Sequence, residues 1–342
     1  MMIGPTLSAS LWLSARKDPM TFLARICLMS LALLGGWSAA GVAASAQPAE
    51  RLAVVATTGM IADAARAIGG DEVEVHALMG PGVDPHGYRQ TRSDIAAMVR
   101  ADLVLWHGLY LEAQMEDFLE GLAKRKPVVA VAENLPRADL ISHGHADRFD
   151  PHVWMDPRLW SKVVVNVRDA LVAARPEAGA AFVANADVYL AELARLSGYA
   201  ERVSASVPEN ARVLVTAHDA FSYYGRAFGF EVMGIQGIST QSEAGLQRIA
   251  ELVDTLVERR IGAVFVESSV SDRSMRALIE GAAARGHMVS IGGELFSDAM
   301  GEPGSYEGTY PGMIDHNATT ISGALGGDVP SGGMDGRLRS GT

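Results

Sequence analysis

The sequence predicts an α/β chain in two halves with parallel sheets, joined by one long helix. Three observations carry that expectation. Short apolar runs alternate with helical segments over residues 52–132 and again over 212–291, the rhythm of strands linked by crossover helices. Between them, residues 177–206 contain no proline and two glycines, and apolar residues recur at helical spacing through Phe182, Ala186, Tyr189, Leu193 and Leu196. A helix of that length extends about 45 Å at 1.5 Å per residue and can cross from one domain to another. The chain has 342 residues, comfortable for two domains.

The elements follow in order. Residues 52–57 form a buried strand ending at a Thr-Thr-Gly turn, and 60–68 a helix. Residues 72–78 alternate like a strand and run into Met79-Gly80-Pro81-Gly82, a turn. A helix over 92–100 follows, with Ser93 as a candidate N-cap. Next come strand 102–106, helix 111–123, strand 127–132, a polar loop over 137–151 and helix 157–174. Pro208 marks the far end of the long helix. The second half reads as strand 212–216, helix 219–228, strand 231–235, helix 243–259, strand 262–266, helix 272–285, strand 287–291 and a closing helix over 314–325. The Gly-, Ser- and Asp-rich residues 327–342 read as a disordered tail.

Residues 1–46 read as a secretory signal peptide. Arg16, Lys17 and Arg25 supply a positive start, residues 26–34 a short apolar run, and Ala44-Ser45-Ala46 a cleavage site near Ala46. The apolar run is short for a membrane span, an uncleaved anchor being the alternative. Met20 competes with Met1 as the true start. The single cysteine, Cys27, lies in this segment and follows Ile26, where a lipid-acceptor cysteine needs a small residue. The exported chain is then free of cysteine. It has no disulfide and no thiolate, so a metal site must use His, Asp or Glu. A net charge of -11 argues against a nucleic-acid partner and suits attraction of cations, or serves solubility alone.

Of nine histidines, three stand out. His86 lies in Asp84-Pro85-His86, His152 in Asp150-Pro151-His152, and His218 follows the strand 212–216. All three fall at strand ends or helix starts, where ligands bind in open α/β sheets. A lone histidine is more often structural, but the preceding proline holds two of these in place. Asp298 follows the last strand in an apolar neighbourhood, where a dication would supply its partner and a helix cap is the alternative. Three imidazoles and a carboxylate make a four-coordinate site suited to zinc. A filled shell binds metal and leaves no place for an activating water. His143 and His145 can catch metal at the mouth or belong to a solvated loop. Glu267 can orient a ligand or cap the next helix. Structural roles fit His76, His107 and His287 better, and His316 sits on the closing helix. The H-E-x-x-H helix, the Gly-x-Ser-x-Gly elbow and the P-loop are all missing, so no catalytic residue is assigned.

Over residues 50–326 the sequence resembles the cluster A-I substrate-binding proteins of ABC importers for zinc, manganese and iron. The resemblance rests on ordered segments: Met79 to His86, His107-Gly108-Leu109-Tyr110-Leu111-Glu112, Asp150 to Pro157, Thr216 to Phe221, Phe296-Ser297-Asp298-Ala299, and Glu307-Gly308-Thr309-Tyr310 before His316-Asn317. It implies two α/β lobes over 47–175 and 208–326, a rigid interlobe helix over 176–207, and metal in the cleft. His86 and His152 would come from the first lobe, His218 and Asp298 from the second. Many manganese and iron members carry Glu where His218 stands, so zinc is the expected cargo and manganese or iron the alternative. The loop before His152 is short for a zinc member, and the disulfide of some zinc members is absent. The resemblance implies a periplasmic receptor, not an enzyme. Its expected partner is an ABC permease in the inner membrane, with a periplasmic metal donor as a further candidate. The receptor is expected to act as a monomer.

Overall fold

The structure, a computed structural model, describes residues 50–143 and 148–338. The expected signal peptide and His145 therefore lie outside the described residues. Strands β1 (Leu52–Ala56), β2 (Val73–Ala77), β3 (Leu103–Trp106) and β4 (Val128–Ala130) form one sheet in the order β2-β1-β3-β4. Every pairing is parallel, with Val54 opposite Val75 on one side and Leu103 on the other. All four residues of β3 are buried, as a parallel strand covered on both faces must be. Helices α1 (Gly59–Gly69), α2 (Arg92–Arg100) and α3 (Glu116–Ala123) make the crossovers.

In the first half, two local outcomes differ from the sequence expectation. The N-cap of α2 is Thr91, not Ser93. Thr91 has extended backbone, its hydroxyl accepts the Asp94 N–H at 3.2 Å, and the Asp94 carboxylate accepts the Thr91 N–H at 2.7 Å. That reciprocal pair is a capping box, and it leaves Ser93 inside the first turn. Helix α3 starts at Glu116 rather than residue 111. Gly108, Leu109 and Tyr110 all have positive φ, at 85, 54 and 67°. The Glu112 carboxylate accepts the N–H groups of His107 and Gly108 at 2.8 and 3.2 Å, and Glu133 accepts that of Leu109 at 2.9 Å. Those bonds hold a left-handed turn that two non-glycine residues would otherwise avoid.

After α4 (Pro157–Ala174) comes the long helix α5 (Gly179–Ser206), 28 residues in one piece. Its buried positions include Phe182, Ala186, Tyr189, Leu193, Leu196 and Ala200, one stripe at helical spacing. The second half follows as β5 (Val213–Thr216), α6 (Ser222–Phe228), β6 (Glu231–Gly234), α7 (Leu246–Arg259), β7 (Ala263–Glu267), α8 (Arg273–Ala284), β8 (Ser290–Leu295) and α9 (Tyr310–Ala324). Strands β5 and β6 pair in parallel, as do β7 and β8, and β5 lies beside β7. Helix α5 packs on α1 and α4 from the first half and on α9 from the second. Asp63 of α1 joins this stack by accepting the Tyr189 hydroxyl at 2.8 Å and the Tyr310 N–H at 3.0 Å.

Of the tail 327–342 expected to be disordered, residues 327–338 pack on α9 and on the long helix, and 339–342 lie outside the described residues. The carboxylate of Asp315 on α9 accepts the Met334 N–H at 3.0 Å, Asp335 pairs with Arg195 at 2.9 Å, and Leu338 is buried. Gly333 has φ of 78°, and a Cβ there would lie 2.5 Å from Asp315 Oδ1. The glycines that suggested disorder permit the close approach. Among the described residues, no helix is long and apolar enough to cross a membrane.

Candidate metal centre

Four loops at the carboxyl ends of strands meet in the cleft between the halves. His86 follows β2, His152 precedes α4, His218 follows β5 and Asp298 follows β8. All four side chains are buried, and their ligand atoms lie within 4.8 Å of one another.

The two Asp-Pro-His turns begin alike. Asp84 Oδ1 accepts the His86 N–H at 2.8 Å, and Asp150 Oδ1 accepts the His152 N–H at 2.9 Å. Asp150 Oδ1 also takes the His152 Nδ1 proton at 2.7 Å, which fixes the ring and turns Nε2 toward the centre. Outside this turn, His107 Nε2 donates to the Pro151 carbonyl at 2.7 Å and Tyr223 donates to the Asp150 carbonyl at 2.8 Å. Burial pushes His107 down to about 3, so it is a neutral strut. Asp156 then caps α4 by accepting the Arg158 N–H at 3.0 Å, with Pro157 in the first turn.

Glu267, at the end of β7, settles its two readings by contact. Its Oε1 accepts the His218 N–H at 2.9 Å and its Oε2 the Nδ1 proton at 2.5 Å. It orients the His218 ring. The loop carrying Asp298 is held by Trp154, whose Nε1 donates to the Ser297 carbonyl at 2.8 Å, and by Asn317, which brackets the backbone of Phe296.

At the centre, His86 Nε2 stands 3.2 Å from His152 Nε2. Asp298 Oδ1 is 3.4 Å from His152 Nε2, and Oδ2 is 3.2 Å from His218 Nε2 and 3.9 Å from His86 Nε2. A tetrahedral zinc with bonds of about 2.0–2.1 Å places its ligands about 3.3 Å apart. Both Asp298 oxygens and His218 Nε2 are buried without a hydrogen-bond partner. Such groups are costly to bury unless something else satisfies them, and a dication does.

Electrostatics prepare the same exchange. Burial alone would raise the Asp298 carboxyl, but the His218 and His152 imidazoles outweigh it and hold it well below the usual range. Burial would lower His152 and His218. The Asp150 and Asp298 carboxylates push His152 up to about 9, and Glu267 and Asp298 push His218 well above its usual value. Burial takes His86 down to about 4 against the pull of Asp298, with the neighbouring imidazoles adding to the fall. The carboxylates around the site thus favour positive charge on His152 and His218, and burial opposes it on His86.

The other described histidines stand elsewhere. His143 is exposed on its loop, where its N–H donates to the Arg148 carbonyl at 2.8 Å. His76 is exposed on β2, His287 Nε2 bonds the Ile261 carbonyl at 2.7 Å, and His316 Nε2 bonds the Glu294 carbonyl at 2.8 Å from α9. Sequence reasoning missed the bracing roles of Glu112 and Tyr223. The positive-φ turn beginning at Gly108 has no signature a linear reading exposes.

A profile of the family described as zinc-uptake complex component A, periplasmic, matches residues 54–324. The manganese-binding lipoprotein MntA of Bacillus subtilis (strain 168) is 48% identical over 304 residues, covering 89% of this chain and 98% of its own. The zinc-binding protein TroA of Treponema pallidum (strain Nichols) is 44% identical over 299 residues, covering 87% and 97%. A solved structure described as the periplasmic zinc binding protein TroA from Treponema pallidum superposes with a TM-score of 0.79 at 46% identity, covering 81% of this chain and 99% of that one.

Proposed function

Because this chain belongs to the zinc-uptake complex component A family, whose members are metal-binding receptors of ABC transporters and not enzymes, we propose that it captures zinc with His86, His152, His218 and Asp298. It then delivers the ion to its cognate permease in the inner membrane. The reading places the receptor in the periplasm after cleavage near Ala46, with residues 47–175 and 208–326 as lobes about the interlobe helix 176–207.

The observation that carries the choice of zinc is the third imidazole. His218, braced by Glu267, gives three nitrogen donors, and borderline nitrogen ligands favour zinc over manganese on affinity. Manganese is the second reading, and two observations favour it. The 48% identical relative is named as manganese-binding, and both Asp298 oxygens face the imidazoles, which permits a fifth bond. Metal availability also overrides raw affinity in cells.

Elemental analysis of the protein as isolated, with competition titration of the two ions, separates these readings. The expected result is one zinc per chain, displaced by manganese only at large excess. Preferential retention of manganese would transfer the function to that ion. His218→Ala should cost about a hundred- to thousandfold in zinc affinity, a quarter share of the roughly 10–16 kcal/mol typical of a four-ligand zinc site. Wild-type affinity in that variant would remove His218 from the ligand set.

A further inference from the structure

His152 and His218 each have a carboxylate on Nδ1, at 2.7 and 2.5 Å. Among the described residues, no carboxylate pairs with His86 Nδ1; the ion pair of His86 runs through Nε2 alone. Its ring depends on the backbone that carries it, and that backbone is gripped from the opposite half. Asp84 Oδ1 accepts the His86 N–H, while Asp84 Oδ2 accepts the Thr240 hydroxyl at 2.5 Å. The Gln241 side-chain amide donates to the His86 carbonyl. The two Asp-Pro-His turns therefore spend their aspartates differently. Asp150 puts both of its bonds on its own histidine, and Asp84 divides its two between histidine and the far half.

The gripping loop is sparsely packed. It runs between β6 and α7, and Gly237 and Gly245 flank it with open space where a side chain would be. A cavity of about 530 Å³ lies against it, lined by Asp219, Gln236, Ser239, Glu243 and Arg248. Gln241 is exposed and Thr240 half-buried, so few packing contacts oppose its departure.

We propose that Thr240 and Gln241 are positioning residues that clasp His86 into the ligand set and thereby set the rate at which the metal leaves. This rests on the metal-receptor reading above. Closure of the two halves completes the His86 bond to the ion. When the loop releases Asp84 and the His86 carbonyl, His86 is the ligand free to swing out, because the other two imidazoles stay locked to their carboxylates.

Stopped-flow release of zinc ion into excess chelator tests the clasp, with manganese ion run in parallel. Thr240→Val should speed release about tenfold, the scale of losing a hydrogen bond to a carboxylate, and Gln241→Ala should speed it further. Association rate, one-to-one stoichiometry and circular dichroism should stay as in the wild type, and Thr240→Ser should restore release to within about twofold. A doubly substituted Thr240→Val, Gln241→Ala protein that releases metal at the wild-type rate overturns the clasp. So does slower association or lost helicity in place of faster release, which would make the loop a structural support. A wild-type protein that holds neither ion overturns the functional reading and the clasp with it.

Discussion

Glu267 touches no metal in the proposed site, yet it fixes which nitrogen of His218 faces the ion. Glu267→Gln keeps the shape and removes the charge that sets this tautomer, so metal affinity should fall about ten- to a hundredfold. Competition titration against a chelator of known affinity measures it, and an unchanged constant would make Glu267 a bystander. The protons on His152 and His218 give a second test. With His152 raised to about 9 and His218 raised well above its usual value, both rings favour the protonated form at neutral pH, and a metal must displace those protons. Binding then releases protons, so apparent affinity should fall as pH drops, by about tenfold per unit for each proton displaced. Calorimetry in two buffers of different ionisation heat counts the protons; identical heats in both would contradict the exchange. At this scale the sequence was legible where a motif announced itself. The paired Asp-Pro-His segments pointed to His86 and His152, whereas Asp298 needed its neighbours to be told from a helix cap. Thr240 and Gln241 were illegible, because a hydroxyl and an amide in a polar loop look alike whether they cross a cleft or face water.

Elements deliver these side chains, and the delivery depends on close backbone approach. A Cβ at Gly234, the last residue of β6, would sit 2.6 Å from the Asp219 N and 2.8 Å from the His218 carbonyl carbon. Backbone on both sides cannot yield cheaply, so Gly234→Ala should destabilise the protein by about 1–3 kcal/mol and weaken metal binding by shifting His218. Thermal melts with and without metal would show a smaller metal-induced rise in the variant; an equal rise would mean that the strand absorbs the methyl group elsewhere. The alternation of strands and helices was readable because apolar runs and helical spacing are local signals. Element ends were less so. The left-handed turn through Leu109 and Tyr110 is enforced by Glu112 and Glu133, and the Glu133 contact spans 24 residues that local propensity cannot see.

Across the whole molecule, one helix serves both halves. Helix α5 rests on α1, α4 and α9, and its length was evident from the absence of breakers over 177–206. The docking of residues 327–338 was not evident. It depends on Asp315, Arg195 and Tyr306, all distant in sequence, and the segment's own composition offers few apolar residues to announce burial. Long-range partners thus decide the fate of a segment that composition alone assigns to disorder.

Trp154 reaches from one half to the other, donating to the Ser297 carbonyl, and its ring lies 5.2 Å from that of His152. It is fully buried, so its indole is shielded from solvent quenchers, and the His107 ring, 5.1 Å away, is its second imidazole neighbour. Exchange of a proton for a metal on His152 changes the field at the chromophore, while the buried His107 ring stays as it is. Tryptophan emission should therefore change in intensity on metal addition, and Trp154→Phe should abolish most of the change while Trp106 and Trp160 remain. If the signal survived that substitution, the light would be coming from a different ring. The residue that ties His152 to the Asp298 loop thereby makes occupancy visible without a label.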